Sequence, residues 1–135
     1  MSEPVIDAEL VAAAIAIRDK AYAPYSNFQV GAAIRDAAGQ IHVGVNVENA
    51  AYPQGQCAEA SAIGTMVTSG GAAITAIAVV GGGDGLCTPC GGCRQRIREF
   101  AKADTPVYVC GPEGHRATFT LADLLPASFG PDNLG

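Results

Sequence analysis

Positive charge is scarce in this chain. It carries 8 Lys and Arg against 13 Asp and Glu, a formal net charge of −5, so a polynucleotide would meet net repulsion and nucleic acids are not expected partners. No apolar run approaches the ~20 residues of a membrane span. The opening "MSEPVIDAEL" also lacks the basic and apolar regions of a secretory signal, so a cytoplasmic location with no membrane partner is expected. Histidine is nearly missing too: with only His42 and His115, any metal site must lean on sulfur. There is no internal repeat or linker, which predicts one domain over residues 1–135. "GGGDG" at 81–85 lacks the Lys and hydroxyl residue of a phosphate loop and the spacing of a dinucleotide fingerprint, and is read as a turn.

Of the residues present, 49% are hydrophobic and 16% charged, the balance of a compact fold rather than a disordered one. A chain of 135 residues buries about two-thirds of its unfolded surface, so stability alone does not demand a metal. Apolar spacing predicts a first helix from Asp7 to Tyr22, broken by "APYSN". Alternation predicts a strand through Phe28, Val30, Ala32 and Ile34, a turn at Asp36 to Gly39, and a strand from Ile41 that puts Asn46 and Glu48 on one face. A helix from Ala58 to Thr68, stopped by "SGG", and a buried strand from Ala76 to Val80 follow. Thr88 as cap and Pro89 as first residue predict a helix running to about Lys102. Short strands at 106–110 and 117–119 and a last helix opened by Thr120 and Asp123 complete the order. That order, α, β, β, α, β, α, β, β, α, implies a three-layer α/β fold with a mixed sheet.

Five cysteines in a reducing compartment point to metal binding or catalysis rather than disulfides. "LCTPCGGC" spaces Cys87, Cys90 and Cys93 at intervals of three, and the proposed helix start puts Cys90 and Cys93 on one face. Cys57 opens a second helix. Both helix starts favour thiolate over thiol, so Cys57, Cys90 and Cys93 are the candidate zinc ligands. Three protein ligands leave the fourth tetrahedral position to water, the arrangement of a catalytic rather than a structural site. Glu59, two residues after Cys57, is close enough to exchange protons with that water. "CAE" with "PCGGC" is the all-cysteine form of the zinc deaminase signature. A structural zinc knuckle, a redox pair and an iron–sulfur cluster are the competing readings of a lone C-x-x-C; the missing nearby fourth cysteine disfavours the last. Cys87 and Cys110 are read as structural, His42 as a sheet-face residue and His115 as a loop residue.

With "AYAPYSNFQVGAA", "GVNVENAAYPQGQCAEASAI", "PCGGCRQ" and "LLPASFGPDNL" in the same order, the chain resembles the small homotetrameric zinc-dependent cytidine deaminases of pyrimidine salvage. The resemblance implies a cytidine deaminase-like three-layer α/β/α sandwich with a mixed five-stranded sheet. It implies one Zn²⁺ per subunit on Cys57, Cys90 and Cys93, and hydrolysis of cytidine and 2′-deoxycytidine to uridine and 2′-deoxyuridine with Glu59 as proton shuttle. It further implies Asn46 and Glu48 on the ribose, Phe28 packed on the base and the Ala58 backbone as a polar contact to it. Tyr52 and Phe129 match residues that similar enzymes send into a neighbouring subunit, so a homotetramer with shared nucleoside sites is expected.

One departure matters. Many relatives carry Arg immediately after "CAE", where this chain has Ala60. Three thiolates on Zn²⁺ carry a formal charge of −1, and Arg94 with the two helix starts is the expected compensation. Deaminases of nucleoside antibiotics such as blasticidin S also resemble this family and can lack that Arg, which keeps a blasticidin-like or other aminopyrimidine deaminase as the alternative. A non-catalytic zinc-stabilised interaction domain is the alternative from a different class.

Overall fold

A computed structural model describes residues 5–135. Helix α1 (Ala8–Arg18) is opened by Asp7, whose Oδ1 accepts from the Leu10 N–H at 3.1 Å. It ends earlier than the apolar spacing suggests. Arg18 Nε donates to Gln29 O at 2.9 Å, and Tyr22 bridges to Val47 instead of continuing the helix. Strand β1 (Gly31–Asp36) begins after Phe28, because the preceding segment is held by a side chain, described below, and not by a ladder. A tight turn leads to β2 (Ile41–Val45), then α2 (Ala58–Thr68) and β3 (Ile74–Val80). Helix α3 (Gly91–Phe100), β4 (Pro106–Gly111), β5 (Gly114–Thr120) and α4 (Leu121–Leu124) complete the main elements. The Thr120–Asp123 capping box forms as its sequence suggests. His115 is a strand residue in β5, not a loop residue, because the hairpin turns tightly between Gly111 and Gly114.

The five strands form one mixed sheet in the order β2-β1-β3-β4-β5. Strand β1 is antiparallel to both β2 and β3, so β2 and β3 run the same way and end at the same edge of the sheet. The chain leaves β2 for α2 and β3 for α3, which brings both helix N-termini to that edge. Both helices pack on one face of the sheet, through Ala62, Met66 and Ile97 against Ile34, Ile77, Val79 and Val107. On the other face Leu10, Val11 and Ala14 of α1 meet a floor of small residues, Ala33, Ala76 and Ala78, with Val80 and Tyr108. Three layers result, as the element order implied. The spacing of α2 from β2 is set by Gly44: a Cβ there would collide with the Ala62 nitrogen, so only glycine lets the helix settle this close.

His42 is a buried partner rather than a plain sheet-face residue. Its Nε2 lies 2.7 Å from Asp36 Oδ2, while Asp36 Oδ1 accepts from the N–H groups of Ala38 and Gln40 at 2.9 and 3.0 Å. The hydrogen bond to His42 holds the Asp36 carboxyl below its ordinary value of 3.8, with the two backbone donors adding to it against burial. A depressed carboxylate contributes stability above its unfolded pKa and loses it as pH falls through the folded one. Asp36→Asn should therefore lower the urea midpoint at pH 7 relative to the parent, and the gap should close as the pH is taken below 3.8. A gap that persists unchanged in strong acid would show that the carboxylate charge is not the cause.

Candidate metal and nucleoside site

The shared edge of the sheet is where the thiols meet. Cys57 is the N-cap of α2 and Cys90 the N-cap of α3, with Cys93 in the first turn of α3. Helix α3 thus begins two residues later than Thr88 and Pro89 suggest. Pro89 is buried before the helix, and Thr88 Oγ1 accepts from Arg94 instead of capping. The Sγ atoms of Cys57, Cys90 and Cys93 lie within 4.8 Å of one another. Zinc bonded to sulfur at about 2.3 Å in a tetrahedron would separate the sulfurs by about 3.8 Å. Cys57 and Cys90 are 3.9 Å apart, which suits that edge and is far too long for a disulfide. Cys87 stays outside the cluster, half-buried against Gly81, and Cys110 is buried in β4.

The donor set asks for a cation. Burial pushes the Cys57 and Cys93 thiols up; the charge of Glu59 adds to it at both, although at Cys57 a hydrogen bond with Cys93 works against the rise. At Cys90 burial is outweighed by hydrogen bonds from the Cys93 backbone and from the thiols of Cys93 and Cys57, so this thiol is lowered. One thiolate is stabilised by the fold and two are opposed. A divalent ion held by the three sulfurs would resolve that conflict by displacing their protons.

Glu59 lies in the first turn of α2, beside the cluster, and only 5% of its surface is exposed. Burial raises its carboxyl above the ordinary 4.5, opposed by its own backbone N–H and by the charge of Arg96. Arg96 was not singled out by the sequence. It lines, with Gln56, Ala60, Ile63 and Gly64, a cavity of about 510 Å³ between α2 and α3. Arg94, the residue expected to offset the thiolates, directs its guanidinium elsewhere: Nε to Pro89 O at 2.6 Å, and the terminal nitrogens to Leu124 O at 2.9 Å and Thr88 Oγ1 at 3.2 Å. It fixes the residue before Cys90 and ties α3 to α4.

Of the residues expected on the nucleoside, Asn46, Glu48 and Tyr52 meet the 22–30 segment, which itself carries Phe28. Asn46 Oδ1 accepts from Val30 N at 2.9 Å and its Nδ2 donates to Phe28 O at 2.8 Å, so this amide holds the backbone on both sides of Gln29. Glu48 Oε1 accepts from the N–H groups of Tyr25 and Ser26 at 2.9 and 3.1 Å, and Oε2 from the Ser26 hydroxyl. The Ser26 hydroxyl, with those backbone donors, holds the Glu48 carboxyl below its ordinary value. Tyr25 and Ser26, which the sequence does not single out, are thus the partners of Glu48. With Asn49, Tyr52 and Gly55 they and Glu48 line a cavity of about 340 Å³, within the range of small-molecule pockets. The Tyr25 and Tyr52 rings meet edge to face, 6.1 Å between centroids. Phe28 is half-exposed, its ring tip near Gly81, and Ala58 is buried at the start of α2. Phe129 is not among the residues lining that cavity; it lies in the tail beside α3.

Three sulfur donors suit zinc and would leave a fourth position to water, and with a buried carboxyl in the same helical turn as one of them they are the equipment of a zinc-binding hydrolytic deaminase. The family model of the cytidine and deoxycytidylate deaminase zinc-binding region matches residues 4–110. The chain belongs to this family, and zinc is its metal. It is 41% identical over 126 residues to a cytidine deaminase of Sporosarcina psychrophila, covering 93% of each chain. A cytidine deaminase of Mycobacterium tuberculosis is 39% identical over 114 residues, covering 84% of this chain and 82% of its own. Among solved structures, cytidine deaminase from Burkholderia pseudomallei superposes with a TM-score of 0.86 at 42% identity, over 93% of this chain and 100% of that one. The shared fold confirms the α/β/α sandwich expected from the resemblance.

Proposed function

We propose that this chain removes the exocyclic amino group of cytidine and 2′-deoxycytidine by hydrolysis, giving uridine or 2′-deoxyuridine and ammonia, as a zinc-dependent step of cytoplasmic pyrimidine salvage. The observation that carries the reading is the convergence of Cys57, Cys90 and Cys93 at two helix starts with Glu59 buried beside them. Bound zinc supplies a polarised water as the nucleophile. Glu59 accepts a proton from water at a carboxylate oxygen and gives it to the ring nitrogen N3 as the C4–O bond forms, then carries the second proton from the new C4 hydroxyl to the exocyclic amino group, so that the C4–N bond breaks and ammonia leaves.

The other residues bind and orient. Glu48, held ionised by Ser26 and the Tyr25 N–H, accepts hydrogen bonds from ribose hydroxyls, and Asn46 keeps a free N–H and lone pair for the same task while bracing Phe28. Phe28 packs on the base, and the backbone at Ala58 meets its polar edge. Arg94 supports Cys90 through Pro89. Tyr52 and Phe129, 76% and 57% exposed, complete the site of a neighbouring copy in a homotetramer. Among the described residues no helix is long and apolar enough to cross a membrane. The net charge of −5 agrees with the lack of a nucleic-acid partner.

The decisive assay follows ultraviolet absorbance of zinc-loaded protein with cytidine, 2′-deoxycytidine and blasticidin S in parallel. Turnover of the first two and not the third is the expected outcome. Turnover of blasticidin S alone would transfer the reading to an antibiotic deaminase, and turnover of none would leave a zinc-stabilised interaction domain.

A further inference from the structure

The helix that carries two of the thiols also grips the carboxy-terminal segment. Gln95 Nε2 donates to Phe129 O at 2.8 Å. Three residues on, Arg98 Nε donates to Ser128 Oγ at 2.9 Å and a terminal nitrogen pairs with Asp132 Oδ1 at 2.5 Å. The guanidinium fills the space over Gly130, where a Cβ would collide with its central carbon. Gly130 N donates to Asn133 Oδ1 at 2.7 Å and Asn133 N returns a bond to Gly130 O at 2.9 Å, closing the turn behind. Ahead of it Ala127 adopts a left-handed φ of 50°. The segment is therefore held through the Ser128 and Asp132 side chains and the Phe129 carbonyl, yet the Phe129 ring stays 57% exposed.

Such a clamp orders the main chain and leaves the ring free to meet something else. A loose tail would have to lose its backbone entropy when the ring docks; a fixed one has lost it already. We propose that Arg98 and Gln95 are positioning residues that act on the reaction through Phe129, holding its ring where a second copy of this chain receives it. This rests on the reading of Phe129 given above. Cys93 and Arg98 lie on one ten-residue helix, so one rigid element sets both the metal site of its own copy and the aromatic lent to the next.

The chain has no tryptophan, so Phe129→Trp is a unique fluorescent reporter in the zinc-loaded assembly. Its emission should be blue-shifted, and Arg98→Ala should move it to the red. In the parent, Arg98→Ala should lower kcat/KM for cytidine about tenfold, whereas in a Phe129→Ala background the same change should cost less than about twofold, because the positioned ring is gone. Zinc content should stay unchanged. The double variant Ser128→Ala with Asp132→Asn should repeat these results without altering α3, which covers the case of an Arg98 variant that folds poorly. Emission typical of a solvent-exposed indole from the Phe129→Trp assembly would overturn the reading of Phe129 itself. Blue-shifted emission that is indifferent to Arg98, an equal loss of kcat/KM in both backgrounds, or loss of zinc would overturn the clamp alone.

Discussion

Glu59→Gln should retain its zinc and lose at least about a thousandfold in kcat, since general acid–base catalysis by one positioned group contributes roughly 10²–10⁴ and this group serves both proton transfers. The amide matches the carboxyl in size and still forms hydrogen bonds, so the first turn of α2 and the three thiols beside it should be undisturbed. What it cannot do is take a proton from water and give it back. Because Glu59 is 5% exposed and its charge is opposed by burial, the neutral replacement should leave the melting temperature equal or higher. Zinc measured by elemental analysis, melting by calorimetry and turnover by absorbance separate these effects. A variant retaining more than about a tenth of the parent kcat with full zinc would remove Glu59 from the proton path.

The metal half of the site was legible in the sequence because it is local. Cys90 and Cys93 are one helical turn apart, Cys57 and Glu59 share another, and Ser69, Gly70 and Gly71 stop α2 where they stand in the sequence. Only the start of α3 was displaced, since Thr88 and Pro89 have the composition of a cap while tertiary contacts with Arg94 decide their use. The sugar half was less legible because it depends on pairs far apart in the chain. Ser26 and Glu48 are separated by 22 residues and Asn46 meets Phe28 across 18, and β2 ends at Val45, so strand alternation stops short of both Asn46 and Glu48 and could not say what they meet. The same holds for α1, whose apolar stripe runs on toward Tyr22 although the bond from Arg18 to Gln29 O and the bridge from Tyr22 to Val47 end the helix at Arg18. Charge compensation followed neither pattern: the sequence pointed to Arg94, whose guanidinium is taken up by Pro89, Leu124 and Thr88, while the charge of Arg96, further along the same helix, acts to lower the Glu59 carboxyl and not the thiols.

Cys93→Ser should reduce zinc from about one per chain to below about a tenth after dialysis against a chelator, and turnover should fall with it. A serine hydroxyl keeps its proton near neutral pH and is a poor zinc donor, which leaves two thiols, Cys57 and Cys90, both exposed to competing solvent. The polypeptide should nevertheless keep its far-ultraviolet circular dichroism. Helix α2 is anchored through Ala62 and Met66 and α3 through Ile97, all fully buried against the sheet, so neither helix needs the metal to stay in place. The same reasoning makes Cys87→Ser the matched control: its thiol packs on Gly81 outside the cluster and its loss should leave zinc and turnover intact. Global unfolding of Cys93→Ser on zinc loss would make the ion a structural clasp rather than a reagent. Retention of stoichiometric zinc would mean that a fourth protein atom holds the metal, and no corner would then be free for the water that deamination requires.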